Sequence, residues 1–159
     1  FQLMHYPEVT LASYHNLLAG GCGYNLIKQS KKELSTSVTY QAAKLLSPLF
    51  IDSTYLIPTR ADSRTSENEL FIQQFENKKA SYLYVLNTSN RPQRISIKEC
   101  MGGAVQSIKE VISLTANDLS ASMGSNNFPN STQAQVKNLA LLDDIQISPW
   151  TIVRVKIDQ

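Results

Sequence analysis

At 159 residues and a net charge of +2, the chain is long enough to bury one substantial core. Its basic residues are too scattered for a nucleic-acid surface, with Lys28, Lys31 and Lys32 as the only cluster. No run approaches the ~20 apolar residues of a membrane-spanning helix, and no leader with a basic start and a small-residue cleavage site is visible. Charged residues make up only 18% of the chain, so Ser, Thr, Asn and Gln must supply much of the polar surface.

The first elements read as helical. In VTLASYHNLL the apolar residues Val9, Leu11, Ala12, Leu17 and Leu18 mix two periods, which predicts a short helix followed by a buried strand. Pro7 falls in the first helical turn, where a missing N–H is tolerated. The glycines of AGGCG then permit a sharp change of direction. A second helix follows in SVTYQAAKLLSPLF, with Ser37 placed to cap it and Tyr40, Ala43, Leu46 and Phe50 near helical spacing. Pro48 must kink that helix or end it at about Leu46.

From residue 53 the pattern becomes that of short strands. STYLIP, ELFIQQF, SYLYVLN, QRISI, KEVISL, AQVKNLALL and TIVRVKI are each bounded by turn-prone polar residues. SYLYVLN and TIVRVKI alternate as strands with one buried face do, through Tyr82 and Tyr84, then Val153, Val155 and Ile157. NTSNRP supplies hairpin-turn chemistry, while RADSRTSEN and SASMGSNNFPNSTQ read as exposed loops. The expected fold is mainly β. It is an antiparallel, jelly-roll-like sandwich over residues 52–159, preceded by a helix–strand–helix piece over residues 1–51. A lone strand between two helices needs neighbours for its backbone groups, so the first piece cannot stand by itself.

Chemistry-bearing residues are sparse. His5 and His15 have no nearby Cys or acidic ligands, so no metal site is expected. Cys22 and Cys100 form no metal motif and read as two buried thiols rather than a disulfide. No nucleophile elbow or phosphate-cradling loop is present, and no cofactor is implied. Asp143 and Asp144 sit side by side in LLDDIQISP and read as turn residues; Glu67 and Glu69 flank a strand start and read as solvated. Seven tyrosines and Trp150 could offer stacking platforms for sugar, but Tyr82, Tyr84 and Trp150 read as packing residues, the tyrosine hydroxyls at the edge. Two glycosylation triplets occur, Asn87-Thr88-Ser89 and Asn130-Ser131-Thr132. No catalytic residue is assigned, and substrate-binding residues stay unknown.

The order of these elements resembles the C-terminal region of α-L-arabinofuranosidase-type glycoside hydrolases. PEVTLASYHNLL is similar to a Val-x-x-Ala-Ser-Tyr-x-x-Leu pattern at the seventh helix and eighth strand of their (β/α)8 barrel, through Val9, Ala12, Ser13, Tyr14 and Leu17. STSVTYQAAKLLSPLF resembles the final barrel helix, although Ser37 and Val38 stand where the family usually has Thr-Pro. YLYVLNTSNRPQRISIKE, then Leu114, Thr115, Asp118, Asn126 or Asn127, Pro129 and Val136, and finally SPWTIVRVKI resemble successive parts of the family's C-terminal sandwich.

The resemblance implies that residues 1–51 are a barrel remnant and that the rest of the parent chain is the main partner. It implies a retaining parent enzyme whose two catalytic glutamates end barrel strands four and seven, upstream of Phe1. This chain would then be a non-catalytic brace for the barrel, with carbohydrate as a further partner. An isolated piece with an unpaired edge strand would favour self-association. A secreted or periplasmic parent fits this picture. The alternative is a free-standing carbohydrate-binding or adhesion sandwich, which the helical lead-in disfavours; a compact α+β enzyme unrelated to barrels is a third reading.

Overall fold

The computed structural model describes residues 27–30, 33–36, 38–51, 54–57, 69–103, 107–115, 130–134 and 144–158. The expected first helix and barrel strand, AGGCG, Ser37, His5, His15, Cys22, Glu67 and Asp143 lie outside the described residues.

Two strands open the described chain, β1 (Ile27–Ser30) and β2 (Glu33–Thr36), paired antiparallel from Ile27↔Thr36 to Ser30↔Glu33. This hairpin is absent from the helical reading of the first 51 residues. Its strands are only four residues each, too short for apolar periodicity to register.

The next helix, α1 (Val38–Leu46), ends where Pro48 required, and Pro48 opens a second short helix, α2 (Pro48–Ile51). Stop and restart share one cause, because proline lacks the N–H that a continuing helix needs but a new first turn does not. Ser47 joins the two, its hydroxyl donating to the Lys44 carbonyl at 2.8 Å and its own carbonyl accepting from the Phe50 N–H at 3.0 Å.

Eight further strands follow: β3 (Tyr55–Ile57), β4 (Leu70–Glu76), β5 (Ala80–Asn87), β6 (Gln93–Ser96), β7 (Ile108–Thr115), β8 (Asn130–Ala134), β9 (Asp144–Ile147) and β10 (Thr151–Asp158). Six form one antiparallel sheet in the order β3-β4-β5-β10-β7-β8, while β6 and β9 pair as a separate two-stranded sheet. The mainly antiparallel β fold expected from the sequence is therefore present. The last strand of the chain sits in the middle of the large sheet, with Val153 opposite Val85 on one side and Ser113 on the other.

The large sheet is covered on both faces. On one side Leu83, Val85, Val153, Val155 and Ile157 pack against Ile95, Ile97 and Ile147 of the smaller layer. On the other, Phe75, Ala80, Tyr82, Tyr84 and Leu114 pack against Leu45 and Leu49 of the helices. β5 is thus buried on both faces, where its alternation had suggested one. Leucine and valine fill one side and tyrosine the other, so both phases of the alternation carry apolar mass.

Three strand assignments are corrected. Ile97 does not continue β6 but starts a short helix, α3 (Ile97–Cys100). Ser96 caps it by accepting from the Glu99 N–H at 3.2 Å, and Gly102 and Gly103 end it at φ 71° and 96°, a region that costs most residues a Cβ clash. Residues 130–133, expected in a loop, form β8 together with Ala134, and the strand is held by backbone pairing to β7 from Thr115↔Asn130 to Val111↔Ala134. Most of AQVKNLALL lies outside the described residues. Asp144, expected in a turn, begins β9 opposite Ser96, and its carboxylate accepts from Arg94 at 2.6 Å. The alternation Ile145, Ile147 in DIQI was the signal of this strand, hidden by the two aspartates before it.

Leu83 has no exposed surface, whereas Phe50 is 72% exposed. Leu83→Ala is expected to cost about 2–5 kcal/mol in urea unfolding, and Phe50→Ala to stay within about 0.5 kcal/mol.

Candidate functional site

The chemistry of the described chain concentrates where α1 meets the sheet. β5 and β10 set Tyr84 directly opposite Arg154, both pointing to the helical side. The last carbonyls of a helix have no partner within it. Here the Leu45 carbonyl accepts from the Tyr84 hydroxyl at 3.0 Å and from Arg154 Nη1 at 3.1 Å. Arg154 Nη2 donates to Glu110 Oε2 on β7 at 2.7 Å. One guanidinium therefore links the end of α1 to β10 and β7, and it does so only 9% exposed.

Its Nε is buried without a hydrogen-bond partner. That orphan donor carries a desolvation cost, which the other two bonds must offset. Phe75 packs edge-on against Tyr84 at 5.7 Å between ring centroids. Burial pushes the Tyr84 phenol well above its ordinary value, with the Arg154 charge pulling the other way. The tyrosine hydroxyl, expected at the edge of the layer, is instead an interior donor to a helix end.

Beside this clamp lies a cleft of about 400 Å³ between α1, α2, β7 and β10. Leu45, Pro48, Ile112 and Leu114 give it apolar walls, and Gln41, Lys44, Ser47, Glu110 and Arg154 give it polar ones.

A second polar cluster closes one end of the sandwich around Asn87, which has no exposed surface. Its Nδ2 donates to the carbonyls of Arg91 (2.9 Å), Ser148 (3.0 Å) and Ile147 (3.3 Å). Its Oδ1 accepts from the Ser89 N–H at 3.0 Å and the Ser89 hydroxyl at 2.6 Å. Asn87 thereby ties the turn after β5 to the turn between β9 and β10. In that second turn Trp150 is half-buried at φ 52°, the only non-glycine with positive φ among the described residues. The first glycosylation triplet is thus structural: the nitrogen a glycan would need is held inside the fold. For Asn130, the first residue of β8, the strand register is fixed by its pairing with Thr115.

The remaining candidates do not converge on a site. Glu69 holds the Thr88 N–H on its carbonyl at 2.8 Å and pairs at its carboxylate with Arg91 at 3.4 Å, a surface contact worth little. Cys100 is a half-buried free thiol, its pKa raised by burial and then by Glu99. Among the described residues no three His, Cys, Asp or Glu side chains come together. Arg154 and Glu110 were missed by the sequence reading. The one available signal was a charged residue at the centre of the TIVRVKI alternation.

No family model matches the chain, and no curated protein matches it in sequence. Its fold, however, is shared with glycoside hydrolases. It matches 85% of this chain to 22% of a β-porphyranase of glycoside hydrolase family 86 from Bacteroides plebeius, at 14% identity and a TM-score of 0.57. For xylanase C of family 30 from Talaromyces cellulolyticus the figures are 86%, 28%, 14% and 0.53. For a family 51 α-L-arabinofuranosidase solved with arabinose they are 92%, 24%, 13% and 0.58. The chain has a glycoside hydrolase-related fold and spans only 22% to 28% of the length of these three enzymes.

Three outcomes test this geometry. A phenol whose pKa is raised by folding stabilises the fold below its ordinary value of about 10, and that stability is lost as pH rises beyond it. Urea midpoints should therefore fall more steeply above pH ~10 in the wild-type chain than in Tyr84→Phe. Asn87→Ala should cost about 2–3 kcal/mol by the same method, because it strands several buried partners. When the chain is secreted from a eukaryotic host, peptide mass spectrometry of the folded fraction should find no glycan on Asn87.

Proposed function

We propose that this chain is the non-catalytic, C-terminal sandwich region of a retaining, arabinofuranosidase-like glycoside hydrolase, and that it braces the catalytic barrel. In this reading residues 1–51 belong to the barrel and residues 52–159 to the sandwich. The observation that carries it is the clamp on Leu45. The helix that resembles the final barrel helix is fastened to the large sheet by a buried tyrosine and a buried arginine. Such a clamp transmits position: a barrel continuous with α1 is held at a fixed attitude to the sandwich. A free-standing carbohydrate-binding module gains nothing from building a helix end into its interior.

Two further features support the reading. The likeness to hydrolases of three families spans only a fraction of each, as expected of an accessory region. Phe50 on α2 is exposed on the helical side, where a barrel would cover it. Function then lies in rigidity, since a barrel whose last helix is anchored keeps its strand ends, and the carboxylates on them, in register.

The test is the coding sequence upstream of Phe1, followed by assay of both the parent and this chain on an aryl α-L-arabinofuranoside. The parent is expected to carry two glutamates at barrel strand ends and to hydrolyse the substrate, and the 159-residue chain to show no turnover. A gene that begins near Phe1, or turnover by this chain alone, overturns the reading.

A further inference from the structure

We propose that the cleft between α1 and the β7–β10 pair is a secondary sugar-binding site that takes a neutral mono- or disaccharide. The volume, about 400 Å³, lies in the range of small-molecule sites. The composition of its walls narrows the ligand. Leu45, Pro48, Ile112 and Leu114 offer apolar surface for the C–H face of a pyranose or furanose ring. Gln41, Lys44, Ser47 and Glu110 surround that surface with both donors and acceptors, which is what a ring of hydroxyls requires.

Charge excludes the other classes. Arg154 has one nitrogen committed to Glu110 and another to the Leu45 carbonyl, and its Nε is sealed in the interior. Its charge is already matched by the Glu110 carboxylate beside it, and among the described residues Lys44 is the only other basic side chain lining the cleft. An anionic ligand would want at least two converging cations. A purely apolar ligand would strip water from Glu110 without replacing its hydrogen bonds, at a cost in affinity. A hydroxylated ring satisfies both walls.

The choice of sugar among neutral polyols rests on the proposed function. The described walls of the cleft come from α1, α2, the Ser47 link between them, β7 and β10. A sugar held there would place a polysaccharide strand against the bracing region, which favours retention of a long substrate rather than its cleavage.

The experiment is a titration of the full 15N-labelled chain with xylobiose and, separately, L-arabinose, to ~50 mM, well above a ~1 mM dissociation constant. Saturable shifts are expected at the amides of Gln41, Lys44, Ser47 and Ile112 with at least one probe. Lys44→Ala, an exposed change, should weaken binding about 3- to 10-fold. Gln41→Trp should fill the cleft and abolish the shifts, while the amides of β4 and β5 keep their positions. No saturable change with either probe, or shifts that survive Gln41→Trp, overturns the inference. Absent binding alongside an active parent hydrolase removes this site and leaves the proposed function standing. Binding by a chain whose gene begins near Phe1 removes the proposed function and leaves the site.

Discussion

A guanidinium cannot be taken out of water without partners, and the position of Arg154 imposes that constraint on three elements at once. Its hydrogen bonds fix the distance of α1 from β10 and set Glu110 on β7 beside it. Leaving such a group uncompensated costs about 3–5 kcal/mol, comparable with the net stability of many domains. The helix therefore cannot slide along the sheet without exposing or stranding a charge. Hydrophobic packing of Leu45 and Leu49 supplies attraction between helix and sheet, but apolar contacts tolerate small shifts. The clamp is directional and does not.

The arrangement of strands gives that clamp its setting. Arg154 lies on the last strand of the chain, which is inserted between β5 and β7 and paired along its length to both. The large sheet is consequently incomplete until the C-terminal residues arrive. Pairings such as Asp158↔Ala80 close loops of many residues, an entropic cost that non-local sheets meet before they gain their contacts. Anchoring of α1 by Arg154 must come later still, since the arginine needs β10 in place. Sandwich and helix are thus one cooperative unit, and strain applied to α1 is felt in the central strand.

The sequence made the long, strongly alternating strands legible, and the reasons are physical. β5 and β10 each carry branched or aromatic residues at every second position, and the proline in SPLF could only end a helix or start one. What escaped the reading was carried by other forces. The strands β1, β2 and β8 are short and owe their identity to backbone pairing, which leaves little trace in side-chain periodicity. β9 was masked by Asp144, whose carboxylate is used by Arg94 across the pair rather than by a turn. The Tyr84 hydroxyl was expected at the edge of the layer and Arg154 was missed, because nothing local reveals that a helix end lies above them. A buried polar contact between residues 109 positions apart has no sequence signature of its own. Only the burial of the strand's other residues hints at it.

Two polar knots divide the labour of specifying this fold. The one on Leu45 joins layers, and the one on Asn87 joins turns. In the second, a single amide satisfies carbonyls from both turns at one end of the sandwich and so sets where β5 ends relative to the start of β10. Register in a sheet with two apolar faces is weakly defined by burial alone, because a slip of two residues restores the same pattern. A side chain that fits only one alignment removes the ambiguity. The strained backbone at Trp150 belongs to the same device, since a left-handed residue there costs about 1–2 kcal/mol and is tolerated only where its neighbours are held. Thr151 next to it donates to the Pro149 carbonyl and starts the strand that carries Arg154, so the turn that Asn87 holds determines where the helix clamp falls.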